Sequence, residues 1–250
     1  MDELELLVDL HKDALRQGPG SDEATGLALR LAGLDDSRRL AIADIGCGTG
    51  ASTLTLARAL DADITAVDFL PEFLDVLQQR AQQQPLRGRI TPLCASMGAL
   101  PFADESLDVI WAEGAIYNIG FEEGITAWRR YLKPGGLLVV SEITWLTDAR
   151  PGEIDEHWHG EYPEIATASA KIALLEKQGY VPEGYFVLPE ACWLEHYYRP
   201  IQQRLPGFVS RNGNTEGARA IARAEEREIA LYEQYGAYYS YGVYIARLQA

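Results

Sequence analysis

The residues best suited to chemistry stand at positions 44–50, in the run D-I-G-C-G-T-G. Gly46, Gly48 and Gly50 follow a short apolar run, Leu40 to Ile45, and precede a helical stretch from Ser52 to Leu60. Strand, glycine turn and helix together let a ligand lie on bare backbone at a helix N-terminus. Glycine tolerates the positive φ of such a turn and carries no Cβ to block the ligand. Asp44 sits just ahead of the turn, where an acid would repel a pyrophosphate, so the pattern points to a ligand bearing positive charge. Cys47, within the turn, reads as a small side chain packed under the loop. Asp68 follows at a distance of one helix and one strand. There an α/β nucleotide fold sets a carboxylate on ribose hydroxyls; the plain alternative is a helix-capping acid ahead of Pro71.

Further along, Ser96 and Met97 follow a third short strand and Glu113 follows a fourth, with Tyr117 and Asn118 on the same loop. Glu113 and Tyr117 are candidates to touch cofactor or substrate, and otherwise a solvated loop residue and an ordinary packing residue. Glu142 closes a fifth strand and reads as an acid in water. His157-Trp158-His159 suggests a metal at first sight. Alternate histidines point oppositely on a strand and about 200° apart on a helix, so joint ligation is not expected. His157, His159 and His196 are candidate bases, since histidine titrates near neutrality.

The elements that must position these groups alternate. Strands are expected at 40–45, 63–67, 89–94, 107–112 and 137–143, with helices at 52–60, from Pro71 to before Pro85, and at 120–132. Such alternation predicts a parallel sheet with right-handed crossovers. Ligands then sit beyond the C-terminal strand ends, where the glycine turn, Asp68, Ser96, Glu113 and Glu142 all fall. Ahead of this core, helices are expected over 3–16 and from Ser21, its N-cap, to Leu31. After Trp145 the pattern breaks into a stretch rich in tryptophan, tyrosine and histidine. It reads either as a lid over the binding edge or as a cap with its own core. A helix is expected over 165–178, a strand over 184–188 with its extension to Trp193 left open, a long charged helix over 214–234 and a final strand over 237–248.

The bulk numbers exclude several classes. The chain has 250 residues, 47 % hydrophobic and 24 % charged, which suits one α/β domain. It divides into an N-terminal helical cap (1–33), a cofactor-binding core (34–144), a cap insertion with a sixth strand (145–213) and a last helix and strand (214–250). A net charge of −15 opposes a non-specific nucleic-acid footprint. Three cysteines, odd in number and widely spaced, suggest no disulfide framework and a reducing compartment. The acidic N-terminus lacks the features of a signal peptide. No apolar run approaches the roughly 20 residues needed to span a bilayer. The expected setting is cytoplasmic, with no membrane and no nucleic acid as partner.

The motifs D-I-G-C-G-T-G, V-D-F, A-S-M-x-x-L-P-F-A-D-E-S-L-D-V-I-W and L-K-P-G-G-L-L-V-V-S-E resemble, in order, those of class I S-adenosylmethionine-dependent methyltransferases. The resemblance covers residues 40–143. E-G-A-I-Y-N-I-G-F, W-L-T-D-A-R-P and Y-P-E-I are similar to a bacterial small-molecule subgroup of the methyltransferase type 11 kind, itself loosely like quinone-biosynthesis methyltransferases. The resemblance implies a doubly wound, Rossmann-like, seven-stranded and mostly parallel sheet with the last strand inserted antiparallel. It implies S-adenosyl-L-methionine as cofactor and S-adenosyl-L-homocysteine as product. Asp44, Gly46, Cys47, Gly48 and Gly50 would hold the methionine part, Asp68 the ribose and Phe69 the adenine face. Met97 and Ser96 would lie at the adenine edge and Glu113 at the mouth. Ser96 stands where the family often has Asp, which makes that contact neutral and weaker.

The implied reaction is an in-line displacement in which the protein supplies orientation and desolvation, with a base from Glu113, Tyr117 or His157 if the acceptor loses a proton. The partner would be a small molecule, and the cap could bury a homodimer contact. Three rivals are weaker. A dinucleotide oxidoreductase needs G-x-G-x-x-G, which is absent here; the others are a non-catalytic cofactor sensor and a protein methyltransferase.

Overall fold

The computed structural model describes residues 2–35 and 37–249. Its centre is an eight-stranded sheet in the order β3-β2-β1-β4-β5-β8-β7, with the two-residue β6 paired to β5. The strands are β1 (Leu40–Ile45), β2 (Ala62–Asp68), β3 (Arg89–Cys94), β4 (Leu107–Glu113), β5 (Leu132–Trp145), β6 (Ala166–Thr167), β7 (Tyr180–Val187) and β8 (Tyr239–Leu248). β1 to β6 pair in parallel, while β8 lies antiparallel between β5 and β7. This is the doubly wound α/β sheet expected from the sequence, with the last strand inserted as the resemblance implied.

The helices that cover it are α1 (Glu3–His11), α2 (Asp22–Leu31), α3 (Ala51–Ala59), α4 (Pro71–Gln82), α5 (Phe121–Trp128), α6 (Gly152–Glu161), α7 (Ala168–Lys177), α8 (Glu190–Trp193), α9 (Arg199–Arg211) and α10 (Glu216–Tyr235). Local chemistry sets their starts. Ser21 Oγ accepts from Ala24 N at 3.0 Å to open α2. Pro71 opens α4, its missing N–H costing nothing in a first turn.

Two expectations fail. α1 ends at His11, not 16, because residues 14–17 are drawn onto the glycine turn. Gln17 Oε1 accepts from Thr49 N at 2.9 Å, and Arg80 Nη2 donates to Ala14 O at 2.7 Å. The stretch after Pro189 is helical rather than a strand running to Trp193. Buried Trp193, Tyr198, Ile201, Leu205 and Phe208 make one apolar stripe, whose helical period was obscured by Pro200 and by Pro206 inside α9.

The aromatic segment packs as a core of its own on β8. Trp193 is 2 % exposed, stacks on Tyr232 with ring centroids 4.6 Å apart, and donates from Nε1 to Ser240 Oγ at 2.9 Å. Tyr239 meets Trp145, Trp158 and Trp193 edge-on. Among the described residues no helix is long and apolar enough to cross a membrane. Trp193→Ala is expected to cost about 3–5 kcal/mol through the cavity left behind, read as a lowered urea midpoint with unchanged slope.

Candidate functional site

The parallel register brings the C-terminal strand ends level. Ile45 pairs with Val67, Asp68 with Cys94, Asp44 with Trp111 and Glu113 with Ser141. The turn after β1 is tight. Gly46 N and Cys47 N both donate to Val67 O, at 2.8 and 3.0 Å, and Gly50 N donates to Cys47 O at 2.9 Å. Gly46 and Gly50 have φ of 75° and 89°. A Cβ on Gly46 would stand 2.3 Å from Ala115 Cβ, and one on Gly50 would stand 2.1 Å from Leu77 Cδ1. These two glycines are therefore demanded by the protein's own packing as well as by the turn.

Asp44 is wholly buried beneath this turn. Its Oδ2 accepts from Thr53 Oγ1 at 2.6 Å and Ser52 Oγ at 2.8 Å, both on the first turn of α3. Oδ1 is buried with no hydrogen-bond partner. Desolvation outweighs the two hydroxyls and, with repulsion from Glu113 and Asp68, pushes the carboxyl up to about 7. An unpartnered buried carboxylate oxygen is completed by a cationic donor, which fits the amine of a methionine-like ligand.

Asp68 takes up the plainer role read from the sequence, an acid at the start of α4. Its Oδ1 accepts from Leu70 N at 2.9 Å at the start of α4, and its Oδ2 accepts from Gly48 N at 2.8 Å. Each oxygen keeps a lone pair for a hydroxyl. Burial holds this carboxyl above its ordinary value, against the pull of the Leu70 and Gly48 amides. Phe69 is 65 % exposed beside it, free to lie on a flat ring. Ser96 is exposed and its Oγ accepts from Gly98 N at 3.3 Å. Met97 is held by Trp128 Nε1 donating to its carbonyl at 2.9 Å, and its Cε lies 3.5 Å from where a Gly46 Cβ would be.

Three sequence readings are corrected. Cys47 offers no thiol to a ligand: its side chain packs in a cluster with Leu54, Ala66, Leu74 and Leu77, its N–H donates to Val67 O on β2, its carbonyl accepts from Gly50 N, and burial pushes it well above the ordinary thiol value. Glu113 is no free base: Oε1 accepts from Thr25 Oγ1 at 2.7 Å and Trp111 Nε1 at 3.0 Å, and Oε2 from Arg16 Nη1 at 3.2 Å. It anchors the N-terminal segment to β4. Glu142 is not an acid in water but 1 % exposed, because β5 runs on to Trp145.

A cavity of about 550 Å³ opens on the far side of Gln17 from the glycine turn, lined by none of residues 44–50. Gln17 reaches Thr49 on one side and lines the cavity on the other. Tyr117, Trp158, Tyr162, Tyr197 and Tyr241 supply flat walls, with His157, Arg227 and Glu228 between them. Burial holds His157 below its ordinary value, which favours the neutral ring. His159 turns outward to Asp155 O at 2.8 Å, so the two histidines do not converge. His196 lies in a separate cleft with Arg16, Arg80 and Arg204. Among the described residues no group of three His, Cys, Asp or Glu could hold a metal ion.

Sequence reading missed Arg16, Gln17, Thr25 and Lys171. The first three act across the fold and left no local pattern. Lys171 did leave one: it shares a helical face with buried Leu175, four residues on.

Residues 42–136 match the family described as a methyltransferase domain. The chain is 29 % identical over 164 residues to methyltransferase GfsG of Streptomyces halstedii, covering 65 % of this chain and 50 % of that protein. It is 38 % identical over 105 residues to the demethylmenaquinone methyltransferase of Tropheryma whipplei, covering 41 % of each. The chain thus spans half or less of the length of these relatives. A solved S-adenosylmethionine-dependent methyltransferase from Geobacter sulfurreducens, in complex with S-adenosyl-L-homocysteine, shares the fold with a TM-score of 0.84 at 18 % identity, covering 97 % of both chains.

Asp44 binds a proton in the folded state up to about pH 7, whereas in the unfolded chain it loses it near 3.8. Over that window the native state holds more protons, so stability without ligand falls as pH rises. Asp44→Asn keeps an acceptor for Ser52 and Thr53 and carries no charge. Between pH 5.5 and 8 its stability relative to wild type is expected to improve by on the order of 2 kcal/mol, read by melting temperature without ligand. A pH-independent difference would contradict the assignment.

Proposed function

We propose that this chain, whose residues 42–136 match a methyltransferase domain, catalyses methyl transfer from S-adenosyl-L-methionine to a small molecule, leaving S-adenosyl-L-homocysteine. The observation that carries this reading is the unpartnered Oδ1 of buried Asp44 under the glycine turn, with Asp68 one strand away.

In this reading Asp44 takes the cationic amine of the methionine part, and the backbone of Gly46, Gly48 and Gly50 lets it approach. Asp68 accepts from the ribose hydroxyls with its remaining lone pairs. Phe69 covers the adenine face, and Met97 and Ser96 meet its edge. Bound there, the cofactor supplies an already activated sulfonium methyl, so the chain's work is orientation and exclusion of water. The acceptor occupies the aromatic cavity, whose flat walls suit a ring-bearing small molecule. The net charge of −15 argues against a nucleic-acid substrate. Free Cys47, Cys94 and Cys192 are consistent with a reducing, cytoplasmic setting.

Calorimetry with S-adenosylmethionine tests the reading. Wild type should bind, with affinity rising about tenfold from pH 6 to 8 as Asp44 ionises. Asp68→Ala should weaken binding by on the order of 100-fold, the loss of hydrogen bonds to a charged group. Absence of binding to wild type, or equal affinity in the variant, would overturn it.

A further inference from the structure

Glu142, Lys171 and Tyr162 form a buried polar cluster behind the cavity wall that the cofactor site does not use. The side chains of Glu142 on β5 and Lys171 on α7 are each 1 % exposed, with Nζ 4.0 Å from Glu142 Oε1. Lys171 is satisfied largely by other groups: it donates to Glu164 O at 2.9 Å and lies 4.5 Å from the Phe121 ring centroid and 5.2 Å from that of Tyr162. Glu142 Oε1 accepts from Ile143 N at 3.1 Å, while Oε2 is buried with no partner.

Tyr162 connects this cluster to the cavity. It lines the cavity, its hydroxyl accepts from Phe121 N at 3.2 Å, and the Glu142 carboxyl is near enough to act on it electrostatically, although no hydrogen bond joins the two at rest. A phenol that accepts from the backbone still has its own proton to give. The titratable groups that interact electrostatically with Glu142 are Lys171 from α7, Glu164 and Tyr162 from the segment before β6, Tyr241 and Tyr244 from β8, and Tyr117 from the loop after β4. Burial is the largest influence and pushes Glu142 up to about 7 despite the lysine, which puts it in the range of an effective base at neutral pH.

We propose that Tyr162 and Glu142 form the proton outlet for an acceptor with an acidic hydroxyl, a phenol or an enol, held in the aromatic cavity. The inference rests on the methyl-transfer reading. The acceptor O–H bond breaks and its proton passes to Tyr162 Oη. The proton of Tyr162 passes to the Glu142 carboxylate, leaving an acceptor oxyanion and a neutral carboxyl. Tyr162 touches the acceptor and is the catalytic residue; Glu142 acts through it, and Lys171 holds Glu142 in its charged form beforehand.

The test uses the full chain with S-adenosylhomocysteine and 4-nitrophenol, whose absorption distinguishes phenol from phenolate. In wild type the bound probe is expected to ionise at lower pH than in Tyr162→Phe or Glu142→Gln, with about a tenfold loss of ionised probe at neutral pH in either variant. Tyr162→Phe leaves Phe121 N paired with Glu164 Oε2 at 2.8 Å. Glu142→Gln strands a buried lysine, so Glu142→Gln/Lys171→Met, which removes both charges, serves as the second variant. His159→Ala, whose ring turns outward to Asp155 O and does not line the cavity, should ionise the probe like wild type. Absence of probe binding, identical titrations in all proteins, or loss only in His157→Ala would overturn the outlet. Calorimetry with S-adenosylmethionine on the same samples separates the two levels: failure of wild type to bind it overturns the methyl-transfer reading and the outlet together. Binding with an unmoved probe titration overturns the outlet alone.

Discussion

A carboxylate removed from water must find a partner or surrender its charge, and this sheet carries two such groups near one edge. Asp44 on β1 and Glu142 on β5 are separated by a single strand, β4. Each has one oxygen in hydrogen bonds and the other buried without a partner. Their surroundings differ. Asp44 has two neutral hydroxyls and two acids nearby, so the completing group is a cation. Glu142 already has a cation at 4.0 Å and a phenol beside it, so it is completed by a proton. The chemistry of the site divides along that line.

The rest of the molecule holds these acids out of water. Residues 14–25 are drawn across the strand ends by Gln17 on Thr49, Arg16 and Thr25 on Glu113, and Arg80 on Ala14. On the other side, insertion of β8 beside β5 buries the outer half of β5, including Glu142 and Thr144. The aromatic segment then has two tasks. Trp193, Tyr232 and Tyr239 stack into a core that fixes the cap, while Tyr117, Trp158, Tyr162, Tyr197 and Tyr241 line the cavity.

Much of the cofactor side was legible in advance because its signals are local. A glycine needing positive φ, an apolar run before it and an acid at each strand end all lie within a few residues of one another. Parallel pairing then aligns those ends automatically. The substrate side was not legible. Glu113 looked like a mouth residue because nothing near it in sequence hints at Arg16, 97 positions away. Glu142 looked solvated because its burial depends on β8, a hundred residues later. Helix α9 was concealed by two prolines, one tolerated in its first turn and the other offset by apolar packing.

The sequence by itself determined the alternating α/β core, the glycine turn, and the positions of Asp44, Asp68 and Phe69 on its edge, because each depends on backbone geometry within one strand–turn–helix unit. Tertiary structure alone decided that Cys47 faces inward and that Glu113 is tied to Arg16 and Thr25. It also decided that Lys171 lies against Glu142, and that Tyr162 stands between that pair and the cavity. Those outcomes depend on which distant elements meet, and burial, the quantity that sets what each acid can do, exists only once they have met.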